Sequence, residues 1–127
     1  MTKVSQLDKK VGMNQWDIVK FQLLTYCYLN RIHISPHDLS CLTLLGIAGT
    51  RTLEDFCALA RTQGIFSSNQ SARNALSKAE KKNLILKEGY NKKKISLHPD
   101  LNILCSGNII LNYKLYHLTP VLEPAQS

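Results

Sequence analysis

The sequence predicts a mostly helical domain carrying a small β-ribbon, an α+β fold. Three observations support this. Four segments in the first two thirds of the chain repeat apolar residues at helical spacing behind a capping residue. After them, "LILKE" and "KISL" alternate apolar and polar residues on either side of "GYNKK", the pattern of a two-stranded ribbon with one buried face. The positive charge gathers where the last of those helices meets the ribbon.

The elements follow in order. Residues 1–13 have no apolar stretch and are expected to be a flexible N-terminus. In "MNQWDIVKFQLLTYCYLNRI", Asn14 caps a first helix and Asp17 follows three residues later. Its apolar residues (Trp16, Ile18, Val19, Phe21, Leu23, Leu24, Cys27, Leu29, Ile32) occupy most faces. Such a helix is either central to its domain or buried in an oligomer interface, and in so short a chain the expectation is a dimer. "SPHDLSCLTLLGIAG" is a second helix, with Ser35 as cap, Pro36 at the first helical position and Gly49 at the end. "RTLEDFCALARTQG" is a third, capped by Thr52, boxed by Asp55 and ended by Gly64. Ser67 or Ser68 caps the fourth.

In the fourth helix, Ala72, Ala75, Leu76 and Ala79 make a narrow inner face of small residues that allows close packing. Opposite lie Gln70, Arg73, Asn74, Ser77, Lys78 and Lys81, with no acid before Glu80. Asn83 suits the left-handed turn that ends a helix. In the ribbon, Leu84, Leu86, Ile95 and Leu97 are expected to share the buried face. His98-Pro99-Asp100 reads as a turn, residues 108–118 as a strand, and "TPVLEPAQS" as a frayed tail. The domain is therefore expected to span 14–103, with 104–127 as an appended strand and tail that could serve an oligomer contact.

The 127 residues, 44% of them hydrophobic, suffice for one domain with a core. The formal charge is +7, and all of it arises within residues 61–94. There Arg61, Arg73, Lys78, Lys81, Lys82, Lys87, Lys92, Lys93 and Lys94 face only Glu80 and Glu88, while cations and acids balance elsewhere. A surplus confined to one motif favours an anionic partner. No run approaches the ~20 apolar residues of a membrane span. The four cysteines form no CxxC pair and sit among apolar neighbours, as buried thiols in a reducing cytoplasm do.

The order helix, helix, tight turn, helix, ribbon over residues 36–97 resembles a winged helix-turn-helix domain. "SARNALSKAEKKNLI" followed by the ribbon is similar to the recognition helix and wing of MarR-like regulators. That resemblance implies a small cytoplasmic transcriptional regulator that binds double-stranded DNA and forms a homodimer. Carried over by position, it places Ser68, Asn69, Gln70, Arg73, Asn74, Ser77 and Lys78 toward the major groove, with Lys81 on the same face. It places Tyr90, Asn91, Lys92, Lys93 and Lys94 at the wing, on backbone or minor groove. The segment "LHPDLNILCSGN" is similar to a Pro-then-Gly pattern after the wing of some phage and plasmid replication proteins, which gives a replication or partition factor as the alternative. A winged-helix module that binds an acidic protein is a third reading.

The residue types suit DNA without any family. Arginine forks onto guanine O6 and N7, and asparagine or glutamine pairs with adenine N6 and N7. Lysines at a ribbon tip suit phosphates, where a point charge suffices. Serine and asparagine at a helix start can hold a phosphate alongside free N–H groups. His33 and His37 in "HISPH" are flanked by Cys27 and Cys41, residue types that bind zinc, but Pro36 interrupts the helix and no finger spacing is matched. No phosphate loop, HExxH or nucleophile elbow occurs, so no cofactor, metal or enzymatic activity is expected. An effector is not specified. The first helix could border a ligand pocket between subunits, and core packing explains its apolar faces equally well.

Overall fold

The computed structural model describes residues 2–107 and 110–120, with segments 2–5, 7–11 and 119–120 described by backbone alone. Along the chain lie β1 (Thr2–Gly12), α1 (Gln15–Leu29), α2 (Pro36–Ala48), β2 (Arg51–Thr52), α3 (Leu53–Thr62) and α4 (Asn69–Lys81). They are followed by β3 (Ile85–Glu88), β4 (Lys94–Leu97) and β5 (Ile110–Pro120). The fold is α+β: four helices with a small antiparallel sheet ordered β2-β4-β3, and a separate two-stranded ribbon β1-β5. The chain divides into two compact units, Asn14–Gly107 and the ribbon formed by both ends.

In the larger unit each helix starts where a side chain satisfies a free backbone N–H. Asn14 accepts from Asp17 N, Ser35 from Asp38 N, Thr52 from Asp55 N and Ser68 from Ser71 N. Such caps are worth about 1 kcal/mol each. The ends are equally local: Gly49 and Gly64 take φ of 76°, and Asn83 takes φ of 58°. The core gathers Leu23, Leu42, Leu45, Phe56, Leu76, Leu84, Ile85 and Ile95, all fully buried. At Gly46, α2 lies against Val19 of α1 and Leu97 of β4. A Cβ there would stand 2.9 Å from Leu97 Cδ1 and 3.0 Å from Val19 Cγ1, so an added methyl would have to push the tips of both side chains aside. Thr43, the one buried polar residue among the described residues, donates its hydroxyl to Leu39 O at 2.8 Å, so it leaves no unpaired group inside.

Three expectations need correction. The N-terminal segment is not a flexible lead-in: its backbone forms β1, paired with β5 from Thr2↔Pro120 to Gly12↔Ile110. The larger unit runs past residue 103 because Gln22 clasps Leu104, donating to its carbonyl and accepting from its N–H, both at 2.8 Å, while Gln15 donates to Cys105 O at 2.5 Å. The ribbon's faces are shifted by one residue on β3. Leu84 lies before the ladder, where its N–H continues the helix end by donating to Ala79 O, and the register pairs Ile85 with Leu97. Paired residues share a face, so Ile85, not Leu86, joins Ile95 and Leu97, and Leu86 lies opposite Ser96 on the other side. The apolar residues of α1 divide between core and surface. The helix buries Ile18, Val19, Leu23 and Cys27 and leaves Phe21, Leu24, Tyr28 and Leu29 exposed.

The strand expected at 108–118 is β5, which begins at Ile110; residues 108 and 109 lie outside the described residues. The tail expected to fray retains Thr119 and Pro120 in β5, and 121–127 lie outside the described residues. Among the described residues no helix is long and apolar enough to cross a membrane.

Candidate nucleic-acid interface

The outer face of α4 is positioned from three sides. Its small inner residues Ala72, Ala75, Leu76 and Ala79 are buried, which brings the helix axis close to its neighbours. At its start, the turn from α3 is held by His37 of α2. The His37 ring stacks on Phe66 with centroids 4.8 Å apart, and its Nε2 donates to Ile65 O. Further along, Lys78 pairs with Asp38 of α2 at 3.1 Å, and Glu80 pairs with Lys87 of β3 at 3.4 Å.

The β3–β4 hairpin is placed by β2. Arg51 pairs with Ile95 and Thr52 with Lys94, and Leu53 N donates to Lys93 O at 2.7 Å. The start of α3 is thereby bonded to the base of the hairpin. At the tip, Gly89 takes φ of 84° and Tyr90–Lys92 form a 3₁₀ turn, with Asn91 and Lys92 in the left-handed region. Tyr90 is 87% exposed and projects from this tip.

These anchors bring Arg73 and Lys93 to one cleft of about 380 Å³, lined also by Thr52, Leu53 and Glu54. Arg73 is exposed, as are Asn69, Gln70, Asn74, Ser77, Lys81 and the tip residues from Tyr90 to Lys94. Ser68 is half-buried because it caps the helix. Gln70 Nε2 donates to Asn74 Oδ1 at 2.9 Å, which fixes two amides one turn apart and leaves Gln70 its carbonyl oxygen and a second N–H. Asn69 accepts from Arg61 at 3.4 Å, so its amide is oriented by α3.

Charge alone had drawn all nine cations of residues 61–94 into one cluster, and the structure sorts them. Lys78 and Lys87 are paired with acids, Lys82 donates to His33 O at 2.6 Å and Arg61 to Asn69. Lys78, expected at the groove, is thus engaged with α2. Among the described residues Arg73, Lys81, Lys92, Lys93 and Lys94 have side chains with no intramolecular partner, and Arg73 and Lys93 share the cleft. An arginine and lysines left unneutralised on one helix and one hairpin can meet a polyanion at little desolvation cost. Sequence reasoning missed β2 and Glu54. A two-residue strand has too few positions for alternation to register, and in the sequence Glu54 counted only among the acids that balance the cations outside residues 61–94.

The histidine-cysteine cluster does not assemble. His37 is committed to Phe66 and Ile65, and Cys27 and Cys41 are buried. No group of three or more metal-ligating side chains occurs among the described residues. Burial raises the Cys27 and Cys105 thiols. It pushes Cys41 from 9.0 up to about 12, with smaller contributions from Asp38 and Cys57. The unfolded chain releases this proton near pH 9.0 while the folded chain keeps it to about 12, so the contribution of Cys41 to stability is intact below pH 9.0 and declines as pH rises toward 12. Denaturant titrations across that window should show a shallower alkaline loss for Cys41→Ala than for the wild type.

No family model, curated protein or solved structure matches the chain.

Proposed function

We propose that the protein is a sequence-specific double-stranded DNA-binding protein, a small dimeric cytoplasmic regulator of transcription. Its fold is read as a winged helix-turn-helix of MarR-like kind. In this reading α4 enters the major groove and the β3–β4 hairpin is the wing. The observation that carries it is the shared cleft of Arg73 and Lys93, the two elements' own cations converging on one side. Had they diverged, a single duplex could not meet both.

Arg73, Gln70 and Asn74 read base edges, and the wing lysines hold phosphates. Ser68 and Ser77, at the start and middle of the face, contact backbone. Tyr90 and Asn91 at the tip pack on sugar or groove edge. Lys78 contributes less than its place on α4 suggests, because Asp38 takes its charge at 3.1 Å.

Selection of bound genomic fragments, followed by gel shifts at graded salt, tests the proposal. Enrichment of promoter fragments with a common motif is the expected result. Fragments drawn from a replication origin would favour a replication factor, and no retardation at any salt would favour a module that binds protein. Replacing Lys92, Lys93 and Lys94 by alanine should weaken binding to every duplex. The slope of log K against log salt should flatten by about 0.9 for each phosphate contact removed. An unchanged slope would remove the wing from the interface.

A further inference from the structure

The β1–β5 ribbon raises a separate question: what completes it. A two-stranded ribbon is marginal in water by itself, and this one leaves Ile110, Leu115, Tyr116 and Leu118 exposed. Its two outer edges differ in kind. The sequence of β1, TKVSQLDKKVG, is rich in charged residue types, which are disfavoured at a strand edge that pairs. Along β5 only Lys114 carries a fixed charge, and Ile110, Leu111, Tyr113, Leu115, Tyr116 and Leu118 occupy most of the strand.

We propose that β5 pairs antiparallel with β5 of a second copy of the chain. The result is a four-stranded sheet, β1–β5–β5–β1, with its twofold axis at Leu115. The strand is self-complementary in this register. Leu115 is the midpoint of Ile110–Pro120, so the axis there overlaps the whole strand. Leu115 also pairs with Leu7, the midpoint of Thr2–Gly12, so the central row of the sheet is leucine in all four strands. Lys114 falls opposite the second copy's Tyr116, a cation beside an aromatic ring, and Tyr113 falls opposite the second copy's His117. Moving the axis to Lys114 sets two lysines against each other, and moving it to Tyr116 shortens the overlap. The partner is a second copy because the strand matches itself end to end with no like charges opposed. The proposal does not depend on α4 binding DNA, and its test uses no DNA.

Sedimentation equilibrium of the full chain is expected to give twice the chain mass. Leu115→Lys should give the single-chain mass while keeping the helical circular dichroism of the larger unit. Residues directly opposite in an antiparallel pair lie about 4.5–5.5 Å apart at Cα, within disulfide reach. In a Cys105→Ser background, mild oxidation of Leu115→Cys should therefore yield a covalent dimer. Asn112→Cys, placed opposite Leu118 of the second copy, should not. A single-chain mass for the wild type at its highest soluble concentration would overturn the proposal. So would equal cross-linking at both positions, or a dimer that survives Leu115→Lys but is split by Leu24→Lys on α1.

Discussion

Arg73→Ala is expected to weaken binding to the selected DNA site by about 1–3 kcal/mol, on the order of five- to 150-fold, with little change on random duplex. Arg73 is exposed, free of any intramolecular partner among the described residues, and shares its cleft with Lys93 of the hairpin. Its planar fork suits a guanine edge, which a phosphate contact would not require. Losing it therefore removes discrimination more than attraction, while the wing triple variant does the reverse. Competition gel shifts with specific and random duplexes at one salt concentration measure both terms. Equal losses on the two duplexes would show that α4 holds phosphates and reads no bases.

Phe56→Ala should have the largest effect on stability, about 3–5 kcal/mol. Phe56 is the largest of the fully buried side chains, and α3, which carries it, packs on α2, α4 and β2. A domain of this size has roughly 5–15 kcal/mol of stability in all, so the variant approaches the unfolding threshold. Because α3 also holds the hairpin through Leu53 N and Lys93 O, partial loosening there should reach the candidate interface. Urea denaturation followed by circular dichroism gives the value. A loss under about 1 kcal/mol would mean that the site collapses around the cavity, contrary to a core centred on Phe56.

How far the residues themselves foretold this can be judged element by element. All four helices begin at their predicted caps, because capping is a bond between a side chain and a backbone N–H three residues on. The inner alanines of α4 were equally legible, since helical spacing puts them on one face whatever lies beneath. The ribbon was legible as a ribbon but not in its parity. Leu84 is apolar and buried, yet it serves the helix end, and only pairing with β4 reveals that the ladder starts at Ile85. β1 could not be foreseen. "TKVSQLDKKVG" has weak alternation and several charges, and its strand exists because β5 supplies a partner more than a hundred residues away at its far end.

The candidate interface divides the same way. By itself, the sequence determined the helix caps, the small inner face of α4, the polar outer face and the local excess of cations, because each is a property of neighbours along the chain. Only the tertiary structure decided which cations are spent on folding and which remain. Lys78 meets Asp38, Lys87 meets Glu80 and Lys82 meets His33 O, while Arg73 and Lys93 reach one cleft. The reason is physical: an ion pair or a shared cleft depends on distances between elements remote in sequence, and charge spacing along a chain carries no information about them.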